Sequence, residues 1–312
     1  MSAVFLLMAD HGLLTAFPSF KLKGPEEGPM KITLIDEPLL KSVLTLATLI
    51  EARDAYTGGH TWRVSQYAVK LAQHINLSQD EVFLVALGGM VHDLGKIAIP
   101  DAILNKPEKL SEEEYTKMKQ HPVVGVSSMA DHPLFALVRP MIEEHHERHD
   151  GKGYPYGKTG DQTHLHARII ALADAFDAMT SSRPYRKGMP AQKALSILLE
   201  GAGTQFDPEL ATHFVGLGQK GALDHILGHS AEGRLLVTCP ACGPTLALPR
   251  KHEDGDVLCC PNCTGKYRLH RKGDHYEAEF TGVLDPGMTA RPDIEQVQDF
   301  LKEAPSAVWV PG

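Results

Sequence analysis

Side chains able to hold divalent metals recur through one helical stretch: His60, the pair His92-Asp93 in the string HDLGK, His121, His145-His146-Glu147, Asp150 and Asp174. Imidazole and carboxylate are the donors that bind Mn, Fe or Zn. A carboxylate set among several imidazoles can bridge two ions about 3.5 to 4 Å apart, a spacing that clamps both the attacking and the leaving oxygen of a phosphoester. The pattern therefore predicts a binuclear centre for phosphoester hydrolysis. Neighbouring residues on a helix diverge by about 100°, so His92 can face one ion while Asp93 leans toward a second. Asp93 is the candidate bridge and catalytic residue. Lys96, one helical turn beyond His92, is placed to meet a phosphate oxygen and oppose the charge that grows in the transition state.

A second set of donors is chemically distinct. All five cysteines fall between Cys239 and Cys263, as Cys239-Pro-Ala-Cys242 and, after a short polar excursion, Cys259-Cys260-Pro-Asn-Cys263. Two CPxC knuckles at this spacing predict a four-thiolate zinc ribbon on Cys239, Cys242, Cys260 and Cys263, in which one structural Zn replaces a core too small to build. Cys259 is the spare thiol, read as a small buried apolar residue. Disulfides suit small secreted domains, and nothing else in the chain points to an oxidising compartment.

The elements that must position these residues are mostly helical. Leu40, Val43, Leu44, Ala47 and Ile50 recur at three- and four-residue steps, which predicts a helix from Leu39 to the Tyr56-Thr57-Gly58-Gly59 break. Similar patterns predict helices near 60–74, 79–91, 112–119, 133–147, 165–179, 191–199 and 208–217. Ser78, and Ser111 with Glu114 three residues on, mark two of the starts. Strand patterns come after Arg234, at 235–238, 267–270 and 276–280, with one more expected at 31–35, and a short helix is expected at 293–304. Four segments result: an irregular N-terminal arm at 1–38, a metallohydrolase domain at 39–230, a zinc ribbon at 231–284, and a C-terminal tail at 285–312.

Composition sets outer bounds. The 312 residues are 43% hydrophobic, enough for a sizeable core. A net charge of −8 argues against general nucleic-acid binding, which needs an excess of Lys and Arg facing phosphates. An anionic substrate must then be drawn by local charge. No apolar run approaches the roughly 20 residues of a membrane span, and the Val4 to Met8 stretch lacks the features of a secretory signal. A cytoplasmic setting is the expectation.

The strings HDLGK, HHERHDGKGYP and ADAFDAMTSSRPYR, in that order, resemble the HD-GYP family of cyclic di-GMP phosphodiesterases over about Leu39 to Gly228. The resemblance implies an all-helical HD-type bundle, so the fold class expected for the chain is mainly α, followed by a small β zinc ribbon. It implies two divalent ions, with Fe or Mn the best fit to the donors: one on His60, His92, Asp93 and Asp174, the other on Asp93, His121, His145 and His146. It also implies that Arg183 and Arg186 hold substrate phosphates, a task suited to planar guanidinium groups. The Asp150 to Pro155 loop would then border the substrate, with Tyr154 offering its aromatic face to a guanine. Some family members hold a third ion with an acidic residue four positions before the first His; here that position is Tyr56, which favours two ions. Cyclic di-GMP, or a related 3',3'-cyclic dinucleotide, is the implied substrate, opened to the linear dinucleotide or further to GMP. The alternatives are a protein that binds cyclic di-GMP without turnover, with the ribbon passing the signal to a protein partner, and an HD-type phosphohydrolase acting on another nucleotide phosphoester.

Overall fold

The computed structural model describes residues 35–54, 58–182, 187–273, 275–288 and 291–304. Tyr56, Arg183 and Arg186 lie outside these residues, as does the strand expected at 31–35 apart from Ile35. Ten helices run in chain order through the first part of the described residues: α1 (Glu37–Arg53), α2 (His60–His74), α3 (Gln79–Val91), α4 (Asp101–Leu104), α5 (Glu112–Met118), α6 (His121–Met129), α7 (Phe135–Glu144), α8 (Leu165–Thr180), α9 (Ala191–Glu200) and α10 (Pro208–Gln219).

Their starts follow local chemistry. Asp36 accepts the Leu39 amide ahead of α1. Ser78 with Glu81, and Ser111 with Glu114, form reciprocal capping boxes ahead of α3 and α5, satisfying amides that have no partner inside the helix. The start of α2 is different. It has no side-chain cap and begins from Gly59, whose backbone is left-handed at φ 73°. A Cβ there would lie 2.2 Å from the Cα of Ser230, so only glycine permits this approach.

The apolar faces of α2, α3, α8 and α10 close on one core, where Tyr67, Phe176 and Phe214 meet edge to face at ring separations of 5.1 to 6.4 Å. The apolar periods anticipated most of these helices but missed α4 and α6. The buried face of α6 is His121, Pro122, Gly125 and Met129, which offers no row of large aliphatics for a period to detect.

Beyond α10 the chain builds two antiparallel three-stranded sheets. The first orders β1 (His229–Ala231), β2 (Arg234–Cys239) and β3 (Gly243–Ala247); the second orders β4 (Val257–Cys259), β5 (Gly265–Lys272) and β6 (His275–Leu284). Cys239 pairs with Gly243, and Leu258 with Tyr267. The three expected strands are present in longer form, while β1, β3 and β4 are additional. Val237, Leu246, Leu248, Tyr267 and Leu269 form a small core of their own with Cys239 and Cys260. The last element, α11 (Ile294–Glu303), returns to the helices: Val297 is buried with the main core and Phe300 lies 5.8 Å from Phe83. The fold is mainly α with a small β appendix. No helix among the described residues is long and apolar enough to cross a membrane.

Candidate metal centre and substrate groove

The seven predicted ligands come from six places. His60 opens α2, His92 caps α3, Asp93 follows it, His121 opens α6, His145 caps α7 with His146 next, and Asp174 lies within α8. One expectation needs correcting. His92 and Asp93 do not share a helix, because α3 ends at Val91 and the chain tightens into a 3-10 turn at Leu94–Ala98. That turn lets Asp93 swing to the midpoint of the cluster. Gly95 makes it possible: a Cβ there would sit 1.7 Å from the His121 carbonyl oxygen, so any side chain would push α6 away from the centre.

The donor atoms converge in two groups. His60, His92 and Asp174 bring ligand atoms within 4.8 Å of one another, and so do His121, His145 and His146. Asp93 stands between them: its Oδ2 is 3.6 Å from His60 Nε2 and 3.4 Å from His92 Nε2, while its Oδ1 is 3.4 Å from His121 Nε2. Each carboxylate oxygen faces a different group.

The imidazoles are oriented from behind. The Nδ1 atoms of His92, His121 and His145 lie 2.9 Å from the carbonyl oxygens of Gly89, Met118 and Met141, which places the proton on Nδ1 and turns Nε2 toward the centre. His60 Nδ1 instead meets Asp177 at 2.8 Å. Of the neighbouring carboxylates Glu147, Asp150 and Asp177, it is Asp177 that orients an imidazole. Glu147 accepts the Tyr156 and Lys158 amides and so anchors the glycine-rich loop, while Asp150 pairs with Arg148.

Charge and burial fit divalent ions. The Nε2 of His92 is buried without a hydrogen-bond partner, a costly state for a polar atom unless something else occupies it. Burial is the largest effect on His121, His145 and His146 and lowers all three pKa values, that of His146 to about 3, so they stay in the neutral form that can ligate. His60 goes the other way. Burial opposes its protonation, but the carboxylates of Asp177, Asp93 and Asp174 outweigh it and push the pKa up to about 10. Burial also works against the Asp93 anion, yet the Lys96 ammonium and the imidazoles of His92 and His60 beside it hold its pKa well below the usual range. A carboxylate-rich pocket that draws a proton onto His60 is one that a metal cation can neutralise in its place.

The cluster floors a groove of about 980 Å³. Lys96 lies on its floor, 2.9 Å from Asp93 Oδ2 and 3.0 Å from Asp54 Oδ2. Tyr154 forms part of the wall, its ring 4.7 Å from that of His146 and tilted by 30°. Gly153 lets the loop run this close, since a Cβ there would meet the Arg148 amide nitrogen at 2.3 Å. Lys106, Lys109, Arg148 and Lys152 share the groove with Asp54, Glu108 and Glu147, and Lys106 and Arg148 are paired with Glu114 and Asp150, so bound divalent cations would supply most of the attraction for an anion.

In the β appendix, Cys239, Cys242, Cys260 and Cys263 bring their sulfurs within 4.8 Å of one another, and all five cysteines are free thiols. Cys259 stands outside the group and is half-buried, not fully buried as expected, with its thiol 3.5 Å from the Thr264 carbonyl. The Cys263 thiol is poised for ionisation: burial opposes it, but hydrogen bonds from the Tyr267 hydroxyl at 3.2 Å and from the Gly265 amide bring its pKa down to about 7.

Reasoning from sequence missed Arg63, Asp54 and Gln296. Arg63 lies one helical turn after His60, a spacing that places the two on one face, and its guanidinium pairs with Asp177.

Comparison with known proteins gives the family of the chain. The profile of the HD domain family matches residues 45–210, and the chain belongs to that family. Among curated relatives, the chain is 41% identical over 176 residues to the cyclic di-GMP phosphodiesterase response regulator RpfG of Xanthomonas campestris, covering 56% of this chain and 47% of that protein. It is 36% identical over 184 residues to a cyclic di-GMP phosphodiesterase of Thermotoga maritima, covering 58% and 50%. It is also 36% identical over 176 residues to the 3'3'-cGAMP-specific phosphodiesterase 3 of Vibrio cholerae, covering 56% and 38%. The chain spans about half the length, or less, of these relatives.

Proposed function

We propose that the protein is a binuclear metal-dependent phosphodiesterase that hydrolyses cyclic di-GMP or a related 3',3'-cyclic dinucleotide to the linear dinucleotide. The observation that carries this reading is the placement of Asp93, with one carboxylate oxygen toward His60 and His92 and the other toward His121, at the floor of a groove large enough for a dinucleotide. His60, His92, Asp93 and Asp174 would hold one ion, and Asp93, His121, His145 and His146 the other. Divalent ions in such sites supply Lewis acidity toward phosphate oxygens and lower the pKa of water. The chain's own part is positioning. Lys96 fixes Asp93 and presents positive charge at the floor, and Tyr154 lines the wall where a base would stack. Arg183 and Arg186 are proposed phosphate contacts on the family resemblance.

The mixed imidazole and carboxylate set favours Fe or Mn, whereas Cys239, Cys242, Cys260 and Cys263 favour one structural Zn. Four thiolates saturate a tetrahedral ion and leave no position for water. We assign residues 39–230 to the hydrolase domain and 231–284 to the ribbon, with an arm before them and a tail after. Exposed Phe280, Val283 and Leu284 on β6 support contact between the ribbon and a protein partner. The thiol cluster serves as a zinc site only while reduced, which supports a cytoplasmic setting.

The test is metal analysis of freshly purified protein together with chromatography of its products from cyclic di-GMP and 3'3'-cGAMP. Two Fe or Mn ions and one Zn, with linear dinucleotide formed, are expected. Tight binding of both nucleotides by metal-loaded protein without any product would replace this reading with that of a non-catalytic receptor.

A further inference from the structure

We propose that Arg63 is a positioning residue that makes the first strand of the β appendix part of the metal centre, so that closure of the four-cysteine ribbon sets how firmly His60 holds its ion. The proposal rests on the binuclear reading above. Arg63 lies on α2 and is only 3% exposed. Its Nε and Nη2 donate to the two oxygens of Asp177 at 2.5 and 3.0 Å, and Asp177 Oδ2 in turn holds His60 Nδ1 at 2.8 Å. The remaining arm, Nη1, donates to the carbonyl oxygens of Gly58 and His229, each at 2.8 Å.

His229 belongs to β1, which pairs with β2, and β2 ends in Cys239. A continuous line of hydrogen bonds and backbone thus runs from a ribbon thiol to the rear nitrogen of a metal ligand. A buried guanidinium is tolerated only when its donors are satisfied, and the His229 carbonyl satisfies one of them. Two further contacts hold the same turn of α2. Ser230 packs against Gly59 so closely that a Cβ there would overlap it. Gln296 of α11 reaches the Thr61 hydroxyl at 3.4 Å, and Arg234 of β2 ties this helix to the ribbon through Asp293 at 2.7 Å. No comparable contact with the β appendix reaches His121, His145 or His146 among the described residues. The coupling is therefore one-sided: loosening the ribbon frees Arg63 and Asp177, lets the His60 ring turn, and leaves the other ion in place.

The test uses full-length protein reconstituted with manganese, so that Mn and Zn are counted separately by elemental analysis across a chelator series. Two variants are compared with wild type. Arg63→Lys keeps the charge beside Asp177 but cannot reach all the acceptors, and Cys260→Ser opens the ribbon far from the helical core. In both, one of two Mn ions should be held at least about tenfold more weakly, the cost of losing a partner behind a metal ligand, while the second stays at wild-type affinity. Cys260→Ser should also lose the Zn. Amide exchange at residues 59–63 in Mn-free protein should rise in both variants. Two Mn ions at wild-type affinity in Cys260→Ser, with unchanged exchange at 59–63, would overturn the coupling. If wild type takes up no Mn but exchange still rises on opening the ribbon, the binuclear reading fails and the mechanical link stands.

Discussion

The two thiol- and imidazole-lined clusters of this chain are built in opposite ways. The His/Asp centre draws its donors from six elements between His60 and Asp174, with His60, His92, His121 and His145 each fixed by a carbonyl or carboxylate behind the ring and the whole surrounded by a continuous helical core. The cysteine cluster takes all four donors from two turns between Cys239 and Cys263, in an appendix whose own core is a handful of side chains. On the proposed reading, the first is shaped by the fold and offers a site to ions, whereas the second would need an ion to hold its shape. Structural zinc contributes folding energy outright, whereas a catalytic ion binds a scaffold that already exists.

Removing zinc should break this contrast most visibly. Apparent binding energies of thiolate zinc sites are roughly 10 to 16 kcal/mol, far more than so small a core can replace. Stripping the metal with a strong chelator, or substituting Cys242→Ser, should leave helical circular dichroism almost unchanged while the segment after residue 231 becomes sensitive to protease. A ribbon that stays protected without its zinc would place both clusters in the same class.

Asp93→Ala should come next. It deletes the one side chain that faces both ligand groups, so both ions are expected to be lost and turnover to fall by about a thousandfold or more, equivalent to about 4 kcal/mol. The helices should persist, because Asp93 sits in a turn outside the apolar core. A variant that keeps two ions and more than roughly a tenth of its turnover would show that Asp93 is not the bridge.

How much of each cluster could be read in advance follows from the same difference. The ribbon ligands are local: two CPxC strings fix which thiols meet, and only β1, β3 and β4 escaped notice because three- to five-residue strands carry almost no alternation. The His/Asp ligands were identifiable by type and order, but their geometry depends on features invisible to periodicity. The turn that re-aims Asp93 depends on Gly95 having no side chain beneath the His121 carbonyl. Arg63 read as an ordinary helical cation, because its partners Asp177 and His229 lie 114 and 166 residues away in sequence. Glu147 and Asp150 stand within a few residues of the His145-His146 pair in sequence, yet the loop that begins at Gly151 turns both toward its own backbone and Arg148.

Lys96→Ala should sharpen the distinction between holding ions and using them. Lys96 touches Asp93 and Asp54 but is not in either ligand group, so metal content should survive its removal. If its charge strengthens a contact in the transition state, the rate on a cyclic dinucleotide should fall by about 2 to 4 kcal/mol, with kcat lowered more than KM is raised. Unchanged kinetics would confine Lys96 to supporting Asp93.

The smallest expected effect separates the helical part from the appendix by pH. His166 on α8 is 4% exposed, its Nδ1 has no hydrogen-bond partner, and its ring lies 4.8 Å from that of His164. Burial first, and then the neighbouring His164, lower its pKa from 6.5 to about 4. The folded protein therefore binds fewer protons than the unfolded chain in this interval, and the stability that comes from keeping His166 neutral is complete above pH 6.5 and is lost as pH falls toward 4. The shift sets a ceiling of about 3 kcal/mol. Urea unfolding of the metal-free protein, followed by helical signal, should show wild type losing stability faster than His166→Gln across that range. The gap between the two should narrow as the medium is acidified, because the variant has no imidazole to protonate. The appendix should respond differently, releasing its zinc as protons compete for thiolates, a change that the Zn count reads and the helical signal does not. Parallel urea curves for the two proteins between pH 7 and 4 would mean that His166 takes up its proton without unfolding the helices, and the acid sensitivity of the helical part would then have to lie in the metal ligands themselves.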